Sequence, residues 1–131
     1  MTARSSHDTT VLLVEDEDAV RTVAKRMLER EGFRVVHAGS PREAMDIVAH
    51  HDDIALILTD VVMPEMSGPE LVAKLWARCP GARVLFMSGY TDDDFIQRGL
   101  AAPGMALLQK PFSAQQLIEK VRDIIGDVGD V

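Results

Sequence analysis

The 131 residues suffice for one compact domain and leave no room for a second of ordinary size. Hydrophobic residues make up 47% and charged residues 27%, a globular balance that excludes a disordered or collagen-like chain, and the lone Cys79 excludes an internal disulfide or a cysteine metal site. Fourteen Lys and Arg against 21 Asp and Glu leave a formal net charge of −7, which excludes a general cationic field that would draw the chain to nucleic acid or anionic lipid.

Residues 1–9 read as a polar tail with no signal-peptide-like hydrophobic segment, and no later apolar run approaches the roughly 18 residues that span a bilayer, so a cytoplasmic protein is expected. The first strand is Val11-Leu12-Leu13-Val14. Val20, Val23, Ala24, Met27 and Leu28 then recur on one helix face, and Gly32 ends that helix. Val35-Val36, flanked by Arg34 and His37, suits an edge strand. Ser40-Pro41-Arg42-Glu43 is a capping box with Pro at the first helical position, and Ala44, Ile47 and Val48 follow as an inward face. Ile54-Ala55-Leu56-Ile57-Leu58 is the third strand. Gly68-Pro69 opens a helix with Leu71, Val72, Leu75 and Trp76 as its buried stripe, closed by Cys79-Pro80-Gly81. Val84-Leu85-Phe86-Met87 is the fourth strand, and Asp92-Asp93-Asp94 caps a weakly patterned fourth helix anchored by Phe95, Ile96 and Leu100. Met105-Ala106-Leu107-Leu108 is the fifth strand. A second capping box, Ser113-Ala114-Gln115-Gln116, starts a last helix with Leu117, Ile118, Val121, Ile124 and Ile125 inward, ending at Gly126 before a short tail, residues 127–131.

Five strands alternating with five helices predict an α/β fold, a single doubly wound (βα)5 domain over residues 10–126. The apolar runs are continuous rather than alternating, as in a parallel sheet covered on both faces. Such sheets, of which the strand order 2-1-3-4-5 is a known case, bind ligands at the carboxyl ends of their strands. The loops after strands one, three, four and five therefore matter most.

Strand one runs into Glu15-Asp16-Glu17-Asp18 and strand three into Asp60, so carboxylates from separate segments converge at one rim, where their repulsion calls for a cation. Hard oxygen ligands without His or Cys select Mg2+ or Mn2+. The same acids, read alone, also suit a helix N-terminus. Ser88-Gly89 ends strand four with a hydroxyl that serves equally as a local cap, and Lys110-Pro111 ends strand five with a cation that is either solvated or directed into the acids. His7, His37, His50 and His51 fall in the tail, on the edge strand or near a helix end, and read as solvated or structural.

Together, Glu15-Asp16, the run from Asp60 through Val61-Val62-Met63-Pro64-Glu65-Met66-Ser67 to Gly68, Ser88-Gly89 and Lys110-Pro111-Phe112 resemble the receiver domains of two-component response regulators. The resemblance covers nearly the whole chain, and the stretches around Ser88 and Lys110 look like receivers fused to hybrid histidine kinases. It implies a flavodoxin-like sheet in order 2-1-3-4-5 and Asp60 as phosphoacceptor. It further implies Mg2+ held by Asp16, Asp60 and the Val62 carbonyl, with Glu15 on a metal-bound water. Ser88 and Lys110 would bind phosphoryl oxygens, and the Lys110-Pro111 peptide would be cis. The implied partners are a histidine kinase or histidine phosphotransfer protein. A fused kinase or downstream protein would dock on the face formed by the fourth helix, fifth strand and last helix. Leu107 stands where receivers commonly carry Tyr or Phe, which argues against an aromatic switch. Val62 and Tyr90 are placed by the resemblance beside the path of hydrolytic water; Val62 offers no group to orient it and the neutral Tyr90 ring covers the approach rather than activating water, so a long-lived phosphoryl group is expected.

Two other readings compete. A Mg2+-dependent phosphatase with an aspartyl intermediate would carry a second acid two residues after Asp60, where Val62 stands. A receiver-like scaffold without phosphorylation would have no need of the whole constellation. No effector domain is recognisable after Gly126, so the chain reads as either a stand-alone receiver or one excised from a longer protein.

Overall fold

The computed structural model describes residues 9–89 and 106–126. Its strands are β1 (Thr10–Val14), β2 (Arg34–Ala38), β3 (Ile54–Asp60), β4 (Arg83–Ser88) and β5 (Leu107–Gln109), all parallel, in the order β2-β1-β3-β4-β5. Its helices are α1 (Asp18–Arg30), α2 (Pro41–Val48), α3 (Gly68–Leu75) and α4 (Ala114–Ile125). The weakly patterned helix expected over residues 92–100, together with Tyr90, lies outside the described residues.

Side chains alternate across a strand, so each apolar run feeds two cores. Leu12, Val14 and Ile57 pack against Ala44 and Val48 of α2 and Leu71 and Leu75 of α3. Val11, Leu13, Leu56, Leu58, Leu85 and Met87 pack against Ala24 and Leu28 of α1 and Leu117, Ile118 and Val121 of α4. That is why the runs are continuous. β2 is an edge strand, and its Val35 and Val36 are only half-buried.

The helix starts follow the capping chemistry. Ser40, Ser67 and Ser113 each accept the backbone N–H three residues on, at 3.1, 3.2 and 3.1 Å. At Ser113 the box is reciprocal, Gln116 Oε1 accepting from the Ser113 N–H at 2.8 Å. At Ser40 it is displaced by one residue, since Glu43 Oε1 accepts from the Gly39 N–H at 2.6 Å.

Two side chains expected inward face out. Val23 is 48% exposed because Ala24 and Leu28 carry the centre of the α1 stripe and Val23 falls on its margin. Trp76 is 46% exposed because α3 ends at Leu75; past that point the indole swings over the following turn and donates to the Ala82 carbonyl at 3.1 Å. The fifth strand starts two residues later than Met105, at Leu107.

Candidate functional site

The order of the strands brings the carboxyl ends of β1, β3, β4 and β5 to one rim. Asp60 is the last residue of β3 and 4% exposed, Ser88 the last of β4 and 5% exposed, and Glu15 follows β1 with no exposure. Asp16 is exposed beside it. Lys110 follows β5, and its peptide to Pro111 is cis. Backbone hydrogen bonds hold these loop residues in place: Glu15 N–H to the Ala38 carbonyl at 3.0 Å, Val61 N–H to Met87 at 3.0 Å and Lys110 N–H to Ser88 at 2.8 Å.

Gly68 explains the start of α3. Its N–H donates to the Val61 carbonyl at 2.7 Å, and a Cβ there would lie 2.2 Å from the Asp60 carbonyl oxygen and 3.0 Å from the Phe86 ring. Only a residue without a side chain lets the loop after Asp60 fold back this closely.

Lys110 Nζ lies 2.6 Å from Glu15 Oε1 and 2.6 Å from Asp60 Oδ1. Glu15, Asp16 and Asp60 can each present a carboxylate oxygen with all three within 4.8 Å of one another. One ammonium among three acids leaves the cluster short of positive charge. Burial and a hydrogen bond with Glu15 push the Asp60 carboxyl up from 3.8 to about 8, against the pull of Lys110. Burial would also raise Glu15, but hydrogen bonds with Asp60, Lys110 and the Glu17 N–H outweigh it and hold that carboxyl below its ordinary value. The two neighbouring acids are thus pushed apart, Asp60 upward and Glu15 downward. Asp16 is raised by burial and by Glu15, and Lys110 is raised because its two acid partners outweigh the cost of its burial. A divalent cation suits these residues: the donors are all oxygens, and they sit within reach of a single ion.

Glu15, Asp16, Asp60 and Lys110, drawn from three distant segments, therefore meet. Val62 is 47% exposed on the loop after Asp60. His37, His50 and His51 are exposed and take no part in the acidic cluster, and His7 lies outside the described residues. Arg21 is a site residue that the sequence did not single out. Its guanidinium Nη1 donates to the Glu15 carbonyl at 2.8 Å while Nη2 meets Asp18 Oδ1 at 2.5 Å. The spacing of Asp18 and Arg21 signals the ion pair; the bond to Glu15 depends on how the loop turns.

The family model for the response regulator receiver domain matches residues 11–122. The chain belongs to the receiver domain family. This receiver is 40% identical over 121 residues to sensor kinase CckA of Brucella abortus, an alignment covering 92% of the chain and 13% of that protein. It is 28% identical to the response regulator receiver protein CpdR of the same organism, covering 88% of the chain and 95% of CpdR. The crystal structure of the receiver domain from hybrid histidine kinase CckA superposes with a TM-score of 0.72 at 35% identity, covering 87% of the chain and 96% of that structure. The receiver thus spans about an eighth of the CckA kinase but nearly all of CpdR. It is a signalling domain of two-component systems, a family that interacts with histidine kinases or phosphotransfer proteins, rather than a classical enzyme. Among the described residues no helix is long and apolar enough to cross a membrane.

Proposed function

We propose that Asp60 accepts a phosphoryl group from a phosphohistidine of a histidine kinase or phosphotransfer protein. The observation that carries this reading is the Lys110 ammonium, 2.6 Å from Asp60 on one side and 2.6 Å from Glu15 on the other, inside a three-carboxylate cluster. An Asp60 carboxylate oxygen attacks phosphorus as the P–N bond breaks, and the donor imidazole keeps the electron pair. The Lys110 ammonium stabilises the negative charge on the transferring oxygens, with the Ser88 hydroxyl as a second donor. No general base is needed once Asp60 is ionised. Glu15, Asp16 and Asp60, with the Val62 carbonyl, would hold Mg2+, or Mn2+ in its place. When bound, the ion supplies the positive charge that returns Asp60 to its carboxylate form and neutralises the phosphoryl oxygens.

The unit responsible is residues 10–126, and the reading places it in the cytoplasm. A donor must approach Asp60 across the rim. There it meets an apolar depression lined by Val20, Val23, Met27, Pro111 and Phe112 beside Lys110, which suits an apolar helix face on the donor. Output would pass through the surface of the segment over residues 92–100, β5 and α4. With Leu107 at the aromatic position, the change there should be small.

Incubation with Mg2+ and acetyl phosphate, followed by intact mass measurement, tests the reading. A stable gain of one phosphoryl group that maps to Asp60 supports it. Turnover of many equivalents would indicate a phosphatase, and an unchanged mass a scaffold.

A further inference from the structure

The loop between β1 and α1 contains only Glu15, Asp16 and Glu17, so two of the proposed metal-binding acids ride on three residues of irregular backbone. Glu15 is held by its N–H on the Ala38 carbonyl and by its side chain, whose Oε2 accepts from the Glu17 N–H at 3.1 Å. Its carbonyl is held separately, by Arg21. That carbonyl belongs to the Glu15-Asp16 peptide, and rotating this peptide would swing the Asp16 carboxylate, which is exposed and sits beside the Glu15 side chain.

The Arg21 guanidinium is itself confined. It is 18% exposed, anchored 2.5 Å from Asp18 on the first turn of α1, and it lies against Gly39 after β2, where a Cβ would come 3.0 Å from Nη1. Gly39 is in turn fixed through its N–H on Glu43. One planar fork therefore ties the acid-bearing loop to α1 while lying against the loop between β2 and α2, using donors at a fixed angle that an ammonium lacks.

We propose that Arg21 is a positioning residue for the metal site: by fixing the Glu15-Asp16 peptide it sets the Asp16 carboxylate for a divalent cation. The inference rests on the metal-binding reading above. Coulomb attraction alone argues the opposite way, since Arg21 adds positive charge near the acids and its removal should tighten cation binding. The two causes thus differ in sign.

The test is Mg2+ affinity of the intact chain, followed by amide chemical shifts, in wild type and in Arg21→Ala, Arg21→Lys, Gly39→Ala and the Gly39→Ala/Arg21→Ala double variant. Arg21→Ala should weaken Mg2+ binding by about tenfold, the lower end of effects for groups that orient a metal ligand. The Mg2+ concentration giving half-maximal labelling by acetyl phosphate should rise with it. Arg21→Lys, which keeps charge and one donor, should recover part of the loss. Gly39→Ala crowds the guanidinium without removing any partner, so it should weaken binding in the wild-type background and change nothing once Arg21 is gone. Should Arg21→Ala fail to fold, the Gly39→Ala comparison carries the test. Mg2+ binding in a folded Arg21→Ala variant that equals or exceeds wild type overturns the proposal, as does a Gly39→Ala variant of unchanged affinity. A wild-type chain that binds no Mg2+ overturns the metal-binding reading and this proposal together, whereas a wild type that binds normally isolates any failure to Arg21.

Discussion

At the scale of single residues, Asp60 is held in conflict with folding. Its carboxyl titrates near 8 in the folded protein and near 3.8 as an ordinary side chain, so between these values the unfolded chain has already lost the proton that the folded chain keeps. Stability should therefore fall as pH rises from about 4 to about 8. Glu15 works in the other direction, its lowered pKa giving stability that is present above its ordinary value and lost as pH falls through the folded pKa. Asp60→Asn removes the first effect. Thermal melts without metal should show this variant more stable than wild type at pH 7, with its advantage shrinking as pH falls toward 4. The same substitution should abolish labelling by acetyl phosphate, because an amide is a poor nucleophile. Mg2+ should flatten the wild-type pH slope across the same window. Val62 poses a separate question: its exposed side chain offers no hydrogen bond to a water approaching phosphorus. Val62→Asn should speed dephosphorylation by roughly tenfold, equivalent to about 1.4 kcal/mol of barrier, measured as the decay of the phosphorylated mass. A decay as fast in wild type as in the variant would remove Val62 from control of hydrolysis.

At the scale of elements, the site depends on how closely α3 approaches β3. The 2.2 Å separation between a Gly68 Cβ and the Asp60 carbonyl involves backbone, which cannot rotate away as a side-chain tip can. Gly68→Ala must push the start of α3 or the end of β3 aside, at a cost of about 1–3 kcal/mol. Urea denaturation should register the loss, and slower labelling should accompany it because Asp60 moves with the strand end. The surface of α1 bears on partner choice. Val23 lies in the apolar depression beside Lys110, 48% exposed and outside the core. Val23→Glu should leave stability and acetyl phosphate labelling nearly unchanged while slowing transfer from a phosphorylated donor protein. Equal loss with both donors would place the defect in the site rather than the docking surface.

At the scale of the whole molecule, the parallel sheet serves as the positioning device. Crossovers return each strand in the same direction, so Glu15, Asp60, Ser88 and Lys110 all arrive at the same edge although Lys110 is 95 residues from Glu15. The cores on both sheet faces make that edge stiff, and the acids are kept there against their mutual repulsion by burial in a well-packed framework. Stability and function are opposed at this edge. The charges that destabilise the cation-free fold are the ones that make the rim attractive to a cation and a phosphoryl group.

Apolar periodicity and capping chemistry, both local, were enough to determine the pattern of strands and helices among the described residues, the two-faced core and the starts of α2 and α4. Strand polarity then placed the acids, the hydroxyl and the lysine at one rim. The edge position of β2 also followed from its flanking polar residues. The fate of Trp76 was decided by tertiary structure: periodicity counts a residue as inward while the helix lasts, and α3 ends one residue before it. Val23 shows the same limit at the margin of a stripe, where neighbouring elements determine how far burial extends. The division of charge between Glu15 and Asp60 is likewise a three-dimensional property. Both are acids at strand ends, and only the burial of each, the Glu17 N–H and the 2.6 Å contacts of Lys110 determine which carboxyl is raised and which is lowered. Arg21 belongs to the same class, for its pairing with Asp18 is local, whereas its hold on the Glu15 carbonyl exists only after the loop has turned back over α1.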